Sequence, residues 1–208
     1  MTQYKDFGYA DAAPAHTAAY LIPAIRQLAG DRLKAGARVL DVGCGNGAIC
    51  SVLAREGCHV VGLDLSEQGI AIARSLNLPN ARFELLAADA NVLKNLNETP
   101  FDVVISTEVV EHVYDPRSFM AGCVGAVRVG GMVLLSTPYH GYLKNVAITL
   151  AGKWDWHHNP LWDGGHIKFW SQATLGRLMR EAGLSQIGFA GAGRLPWLWK
   201  SMVMSGIK

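Results

Sequence analysis

The chain has 208 residues, half of them apolar and 17% charged, enough to bury a sizeable core and too apolar for a disordered segment. Its formal net charge is +2 and its 19 basic residues form no run, which excludes an electrostatic track for nucleic acid and disfavours a polyanionic partner. The cysteines Cys44, Cys50, Cys58 and Cys123 contain no C-x-x-C pair, so they read as buried free thiols in a reducing cytoplasm.

Residues 1–36 read as an N-terminal helical flank or lid, with an apolar helix around Ala15 to Leu28. Lys5, Asp6 and Asp11 interrupt the first twenty residues, so no secretory signal is read there. No stretch reaches the roughly 18 uninterrupted apolar residues of a membrane span. From residue 37 to 208, strand-like and helix-like segments alternate, the pattern of one α/β domain with a mostly parallel sheet. Strands are predicted at Ala37 to Val42, His59 to Asp64, Arg82 to Ala87, Phe101 to Thr107 and Met132 to Ser136. Helices are predicted from Asn46 to Glu56, ending near Gly57, and from Ser66 to Leu76. A third starts at Asp115-Pro116, where Asp can cap and Pro fits the first turn, and closes at Gly130-Gly131. A fourth is capped by Ser171 and stops before Gly183. Gln186 to Ala190 and Ser201 to Ile207 would close one edge of the sheet.

Between the first strand and its helix stands Val39-Leu40-Asp41-Val42-Gly43-Cys44-Gly45-Asn46-Gly47. Glycines at alternate positions let the backbone approach a ligand closely and aim helix N–H groups at it, which points to a nucleotide-like cofactor. With Ala48 the run also satisfies a looser dinucleotide pattern, so the glycines alone leave a nicotinamide cofactor open. Asp41 separates the two. A carboxylate there would repel a pyrophosphate, whereas it suits the ammonium of a methionine moiety and the field of a sulfonium. Asp64, at the end of the second strand and followed by Leu65, can accept from ribose hydroxyls. After the third strand, Asp89 can accept from an adenine amino group while Ala90 offers a backbone N–H.

Glu108-Val109-Val110-Glu111-His112 follows the fourth strand. In a helical turn, positions i, i+3 and i+4 share one side, so two carboxylates and an imidazole would converge there. Such a set suits Mg²⁺ or another divalent metal, and a bound cation would lower the pKa of a coordinated hydroxyl. Without metal, His112 becomes the leading general base, with Glu111 beside it. Residues 139–170 form a long insertion, and loops of that length are usually functional. It would carry the acceptor pocket, with Tyr139, His140, Tyr142, Trp162 and His166 as candidate acceptor contacts. Tyr142 to Leu150 reads as a short amphipathic helix with Lys144 on its polar side, followed by Lys153, Trp154 and Trp156. It can be a lid packed on its own core, or residues 142–156 can lie at a membrane surface. His157-His158 reads as an exposed polar pair, and Trp197 and Trp199 as edge-of-core aromatics.

VLDVGCGNG, VVGLDLS, AADA, FDVVISTEVVEHV and VRVGGMVLLSTP, spanning residues 38–138 in order, resemble the successive motifs of class I S-adenosyl-L-methionine (SAM)-dependent methyltransferases. The resemblance implies a Rossmann-like doubly wound, seven-stranded sheet in order 3-2-1-4-5-7-6, strand 7 antiparallel, in a single domain. It implies SAM across the strand ends, with Asp41, Gly43, Cys44, Gly45, Gly47, Asp64, Leu65, Asp89, Ala90 and Glu108 as cofactor residues. Within that family the Glu-His after strand 4 is most similar to the ubiquinone-biosynthesis O-methyltransferases. This implies O-methylation of a small hydroxylated acceptor, catechol-, quinol- or sugar-like, on a cytoplasmic enzyme that can contact a membrane peripherally. The E-x-x-E-H string is also similar to that of small-RNA 3′-end 2′-O-methyltransferases, where a later His joins the metal. In this chain that His is His166, giving Glu108, Glu111, His112 and His166 around one ion. N-methylation of a small molecule, RNA 2′-O-methylation and nicotinamide-dependent oxidoreduction are the alternatives.

Overall fold

A computed structural model of the chain describes residues 17–208. The first half of the expected flank, including Lys5, Asp6, Asp11 and the helix start at Ala15, lies outside the described residues. The rest of the flank is α1 (Ala18–Ala29) and a 3₁₀ turn (Gly30–Leu33). There follow β1 (Arg38–Val42), α2 (Ala48–Arg55), β2 (His59–Asp64), α3 (Glu67–Ser75), β3 (Ala81–Leu85), α4 (Val92–Leu96) and β4 (Phe101–Thr107). After these come α5 (Pro116–Ala126), β5 (Val127–Pro138), α6 (Tyr142–Leu150), α7 (Trp154–His157), α8 (Gln172–Glu181), β6 (Ser185–Ala192) and β7 (Ser201–Ile207).

The seven strands form one sheet in the order β3-β2-β1-β4-β5-β7-β6, parallel except for β7, which runs antiparallel to both neighbours. This is the topology that the sequence motifs imply. Apolar residues on the central strands alternate between two buried layers, as the pleat demands. Val39, Val103 and Ile105 face Leu21, Ile25, Cys50, Leu53 and Ile70 of α1, α2 and α3. Leu40, Val104 and Leu135 face Leu96, Met120, Cys123, Leu175 and Met179 of α4, α5 and α8. The flank helix α1 is therefore a layer of the core, burying Leu21, Ala24, Ile25 and Ala29. All four cysteines are free and buried, as expected.

Local chemistry fixes the element ends. Ser66 accepts from the Gly69 N–H at 2.8 Å and caps α3, and Asp115 accepts from the N–H groups of Arg117 and Ser118, capping α5 as read from the sequence. Ser171 and Thr174 form a reciprocal capping box on α8. The helix expected to close at Gly130-Gly131 ends earlier, at Ala126, and β5 begins at Val127. The Val-Arg-Val run is extended, and the two glycines are the bulge at which β5 shifts register on β4: Phe101 pairs Val127, but Val103 pairs Met132. A Cβ on Gly131 would lie 2.8 Å from the carbonyl oxygen of Asp102. Glycine there marks a close backbone approach rather than a helix stop. The insertion 139–170 is not one loop, since it contains α6 and α7.

Candidate active site

The carboxyl ends of β3, β2, β1 and β4 form a row, and the expected cofactor residues sit along it. Gly43, Gly45 and Gly47 all have positive φ (78°, 53° and 77°), the left-handed region that side chains disfavour. The N–H groups of Gly43 and Cys44 both donate to the Leu63 carbonyl, at 2.7 and 2.8 Å, which ties the loop to the end of β2. Position 43 tolerates nothing larger, because an added Cβ would overlap Cγ2 of Val109 from the turn after β4. Asp64 holds the loop from the other side, accepting from Gly45 N at 2.7 Å and from Ser66 N at 2.8 Å. Leu65 is half exposed beside it. Asp89 and Ala90 are exposed beyond β3, the Asp89 carboxylate accepting from Asn91 N at 2.7 Å.

Asp41 is buried, at 1% exposure. One carboxyl oxygen accepts from the Cys50 thiol of α2 at 3.2 Å, and the other has no hydrogen-bond partner. Burial pushes its pKa up to about 7, opposed by the thiol and reinforced by the charge of Asp64. Cys50 was not foreseen as part of the site; its position nine residues after Asp41, on the inner face of α2, was the available signal.

The Glu-His string is not one helical turn. Glu108 has φ +55°, which ends the strand and leaves only Val109 to His112 in a turn closed by His112 N to Val109 O at 2.8 Å. Glu108 consequently points away from the others. Its carboxyl accepts from Ser136 Oγ at 2.8 Å and from Ser201 Oγ at 3.1 Å, on β5 and β7, and burial raises its pKa. These two serines were also missed, each being a small polar residue on an otherwise apolar strand.

Glu111, His112 and His166 do come together: one ligand atom from each lies within 4.8 Å of the others, and Glu108 is not in the group. Residues 165–170 lie across the turn, with Ile167 and Lys168 N–H groups donating to the Glu111 carbonyl and Trp170 Nε1 donating to the Val110 carbonyl. The Glu111 side chain is 1% exposed and neither oxygen has a hydrogen-bond partner. Burial, and secondarily the charge of Glu108, holds its pKa well above the usual carboxyl value. His112 Nδ1 lies 3.2 Å from the Gly165 carbonyl, which can only accept, so Nδ1 carries the proton and Nε2 keeps its lone pair, 4.0 Å from Glu111 Oε1. The His112 and His166 rings meet edge to face, centroids 4.9 Å apart, with Trp162 packed on His166 at 5.1 Å. Burial lowers both imidazole pKa values, that of His166 to about 4, so both rings are neutral near pH 7.

The remaining acceptor candidates divide. His140 packs against Phe169 (5.1 Å) and His158 (5.6 Å), and burial lowers its pKa to about 4. Tyr139 is buried against Trp199 and Phe189, and Tyr142 is 81% exposed, so neither side chain lines the cluster. Trp199 is thus an edge-of-core aromatic as expected, while Trp197 is mostly exposed. His157-His158 is not an exposed pair, because His158 turns inward against Trp154 and Phe169. Helix α6 is inverted relative to expectation. Lys144, Asn145 and Ile148 face inward, while Tyr142, Leu143 and Leu150 face outward.

A family model described as a methyltransferase domain matches residues 15–187. The chain is 35% identical over 151 residues to a ubiquinone biosynthesis O-methyltransferase of Aromatoleum aromaticum, covering 72% of this chain and 64% of that protein. It is 36% identical over 154 residues to the protein of the same name in Thiobacillus denitrificans, covering 72% and 65%. The chain thus spans a little under two thirds of the length of these relatives. Among solved structures it is similar in fold to magnesium protoporphyrin IX methyltransferase from Synechocystis with bound SAH (TM-score 0.63, 20% identity, 93% and 83% of the two chains). A SAM-dependent methyltransferase from Archaeoglobus fulgidus gives TM-score 0.63 at 17% identity, covering 90% and 93%. The family match removes the nicotinamide alternative that the glycine run had left open, and the chain belongs to the methyltransferase-domain family of class I SAM-dependent methyltransferases.

Proposed function

We propose that the chain transfers the methyl group of SAM to a hydroxyl of a small acceptor, with a divalent cation held by Glu111, His112 and His166. The observation that carries the cation is Glu111: a buried carboxylate with two unpartnered oxygens is costly by itself and is resolved by a cation shared with two neutral imidazoles. With Glu108 anchored elsewhere, the donor set is two nitrogens and one carboxylate. That set favours Mn²⁺ or Zn²⁺ over Mg²⁺, which prefers oxygen ligands. A bound cation would supply positive charge that lowers the pKa of an acceptor hydroxyl.

The chain's own residues do the rest. Asp41, with one free oxygen at the root of the glycine loop, would receive the ammonium of the methionine moiety directly or through water. Asp64 would meet the ribose, and Asp89 with Ala90 the adenine. The Gly165 carbonyl fixes the His112 tautomer, so that Nε2 faces the reaction. In the transfer, the acceptor oxygen bonds to the methyl carbon as the carbon–sulfur bond breaks, its electrons stay on sulfur, and the hydroxyl proton leaves to a base. The same Nδ1–H geometry favours a second reading in which His112 Nε2 is that base without metal. The relatives named for ubiquinone biosynthesis support oxygen as the methylated atom. The outward apolar face of α6, with Lys153 and Trp156 next to it, supports peripheral contact with a membrane; among the described residues no helix is long and apolar enough to cross one.

Labelled SAM offered with catechols, quinols, sugars and amines, before and after EDTA and with Mn²⁺, Zn²⁺ or Mg²⁺ returned, tests the proposal. Transfer to a hydroxyl that is lost in EDTA and restored by Mn²⁺ or Zn²⁺ is expected. Full activity in EDTA removes the cation and leaves His112 as base; transfer only to amines overturns O-methylation.

A further inference from the structure

Glu108 holds a left-handed backbone, φ +55°, which a residue with a β-carbon rarely adopts and which costs energy wherever it persists. Its neighbours supply the restraint. The Glu108 N–H lies 3.1 Å from both the carbonyl oxygen and the Oγ of Ser136, the Ser136 hydroxyl donates back to Glu108 Oε1 at 2.8 Å, and the Ser201 hydroxyl donates to Oε2 at 3.1 Å. Backbone and side chain of one residue are thus tied to one serine in a closed ring, while a second serine fixes the far oxygen. Both serines are buried. They stand diagonally across the antiparallel β5–β7 pair, whose register sets Ser136 opposite Val203 and Ser201 opposite Pro138. A hydroxyl buried on an apolar strand is costly without a partner, and Glu108 is a partner of both.

The clamped angle decides where the next four residues go. Val109 is carried onto the glycine loop, where its Cγ2 fills the space that a Cβ on Gly43 would need. The turn from Val109 to His112, closed by the His112 N–H on the Val109 carbonyl at 2.8 Å, then sends Glu111 into the core and His112 to the Gly165 carbonyl. A helical φ at Glu108 would instead continue the turn backwards, lift Val109 off the loop and rotate Glu111 and His112 about the turn axis. The strain is therefore located where one residue governs both the floor of the cofactor site and the direction of the cluster, and two buried serines hold it there.

We propose that Glu108 is a positioning residue: clamped by Ser136 and Ser201, it acts through its backbone angle, seating Val109 against the glycine loop and aiming Glu111 and His112, and it neither ligates an ion nor acts by charge. This rests on the reading of Glu111 and His112 as the reacting cluster, but the aim of His112 is measurable with no metal and no acceptor present.

The test compares Glu108→Gln, Glu108→Gly, Glu108→Ala and the double variant Ser136→Ala/Ser201→Ala with wild type, as full chains freed of metal and saturated with S-adenosylhomocysteine. Ring ¹⁵N shifts report the His112 tautomer, thermal melting reports the fold, and methyl transfer from labelled SAM to catechol gives kcat. Wild type should hold the Nδ1–H tautomer, and so should Glu108→Gln, which keeps the shape and can hydrogen-bond both serines without charge. Glu108→Ala and the double serine variant should show mixed tautomers and a kcat lowered about ten- to hundred-fold, the range for reacting groups misplaced by about 1 Å. Glu108→Gly, which enters the left-handed region freely, should fall between. Where Glu108→Ala does not fold, the double serine variant stands in for it. A wild-type tautomer in the double serine variant, or a Gly variant no better than Ala, overturns the proposal. So does a Gln variant as impaired as Ala, since the carboxylate then acts by charge, on an ion or on Lys144. If the tautomers follow the expected order but wild type methylates no catechol, the O-methylation reading falls and the positioning role does not.

Discussion

Glu111→Gln should make the metal-free protein more stable while removing its response to metal. The carboxyl is 1% exposed with two unpartnered oxygens, and its pKa lies well above the ordinary value. The sign follows from proton linkage. Below about pH 4 the folded and unfolded chains both hold the proton, and Glu111 makes stability neither rise nor fall. Above that, the unfolded chain releases the proton and the folded chain does not, so stability falls by about 1.4 kcal/mol per pH unit until the folded-state pKa is reached. Glutamine keeps the shape, carries no titrating proton and can meet the adjacent Thr137 hydroxyl. A gain of about 1–3 kcal/mol at pH 8 corresponds to roughly 3–10 °C in Tm for a chain of this size. Wild type with Zn²⁺ or Mn²⁺ at about 100 times its Kd should recover about 2.7 kcal/mol, and the variant should not. Differential scanning fluorimetry of EDTA-treated and metal-loaded protein at pH 5 and pH 8 measures both effects. A variant that melts at or below wild type at pH 8 without metal, or that shifts equally with metal, would refute the reasoning.

Asp41 predicts that SAM affinity weakens as pH falls below about 7, by up to ten-fold per unit, because the acid must give up a proton to meet a cation. Cys50→Ala removes the thiol that favours the charged form, so the loss should begin at higher pH; 5′-methylthioadenosine, which lacks the methionine moiety, should show neither effect, and a SAM affinity flat from pH 8 to 5.5 sinks the assignment. Gly43→Ala should cost cofactor affinity two orders of magnitude or more, and adding Val109→Ala should recover only part of it, because the φ of +78° still costs about 1–2 kcal/mol. Wild-type S-adenosylhomocysteine binding by the single variant would contradict the close approach. Replacing Leu143 and Leu150 with Ser should reduce co-sedimentation with anionic vesicles and leave SAM binding unchanged; equal sedimentation would leave the outward face of α6 without a membrane role.

Much of the fold was legible because each element carried its own punctuation. Asp115 and Ser171 cap the helices they were expected to cap, and the buried strands read as unbroken apolar runs. The misplaced boundary at Gly130-Gly131 has a specific cause. A glycine pair that ends a helix and one that passes beneath a neighbouring carbonyl look alike in sequence, and only the pairing of β5 with β4 distinguishes them. Helices α4 and α7 have five and four residues, too few to show a helical period.

The site was legible where one residue's chemistry decided its place and illegible where a backbone angle did. Asp41 could be read from charge, since its position at the root of the glycine loop follows from the strand alone. Glu108 could not, because the helical spacing that groups it with Glu111 and His112 assumes a continuous turn, and a φ of +55° breaks that turn at its first residue. The same limit explains α6. Its sequence has an apolar and a polar side, and ordinary burial would turn Leu143 and Leu150 inward and Lys144 outward. The reverse orientation desolvates an ammonium and leaves leucines in water, a local conflict that folding energetics alone does not select. The orientation of α6, with Tyr142, Leu143 and Leu150 exposed and Lys144 half-buried, is therefore a feature that its amphipathic pattern does not give.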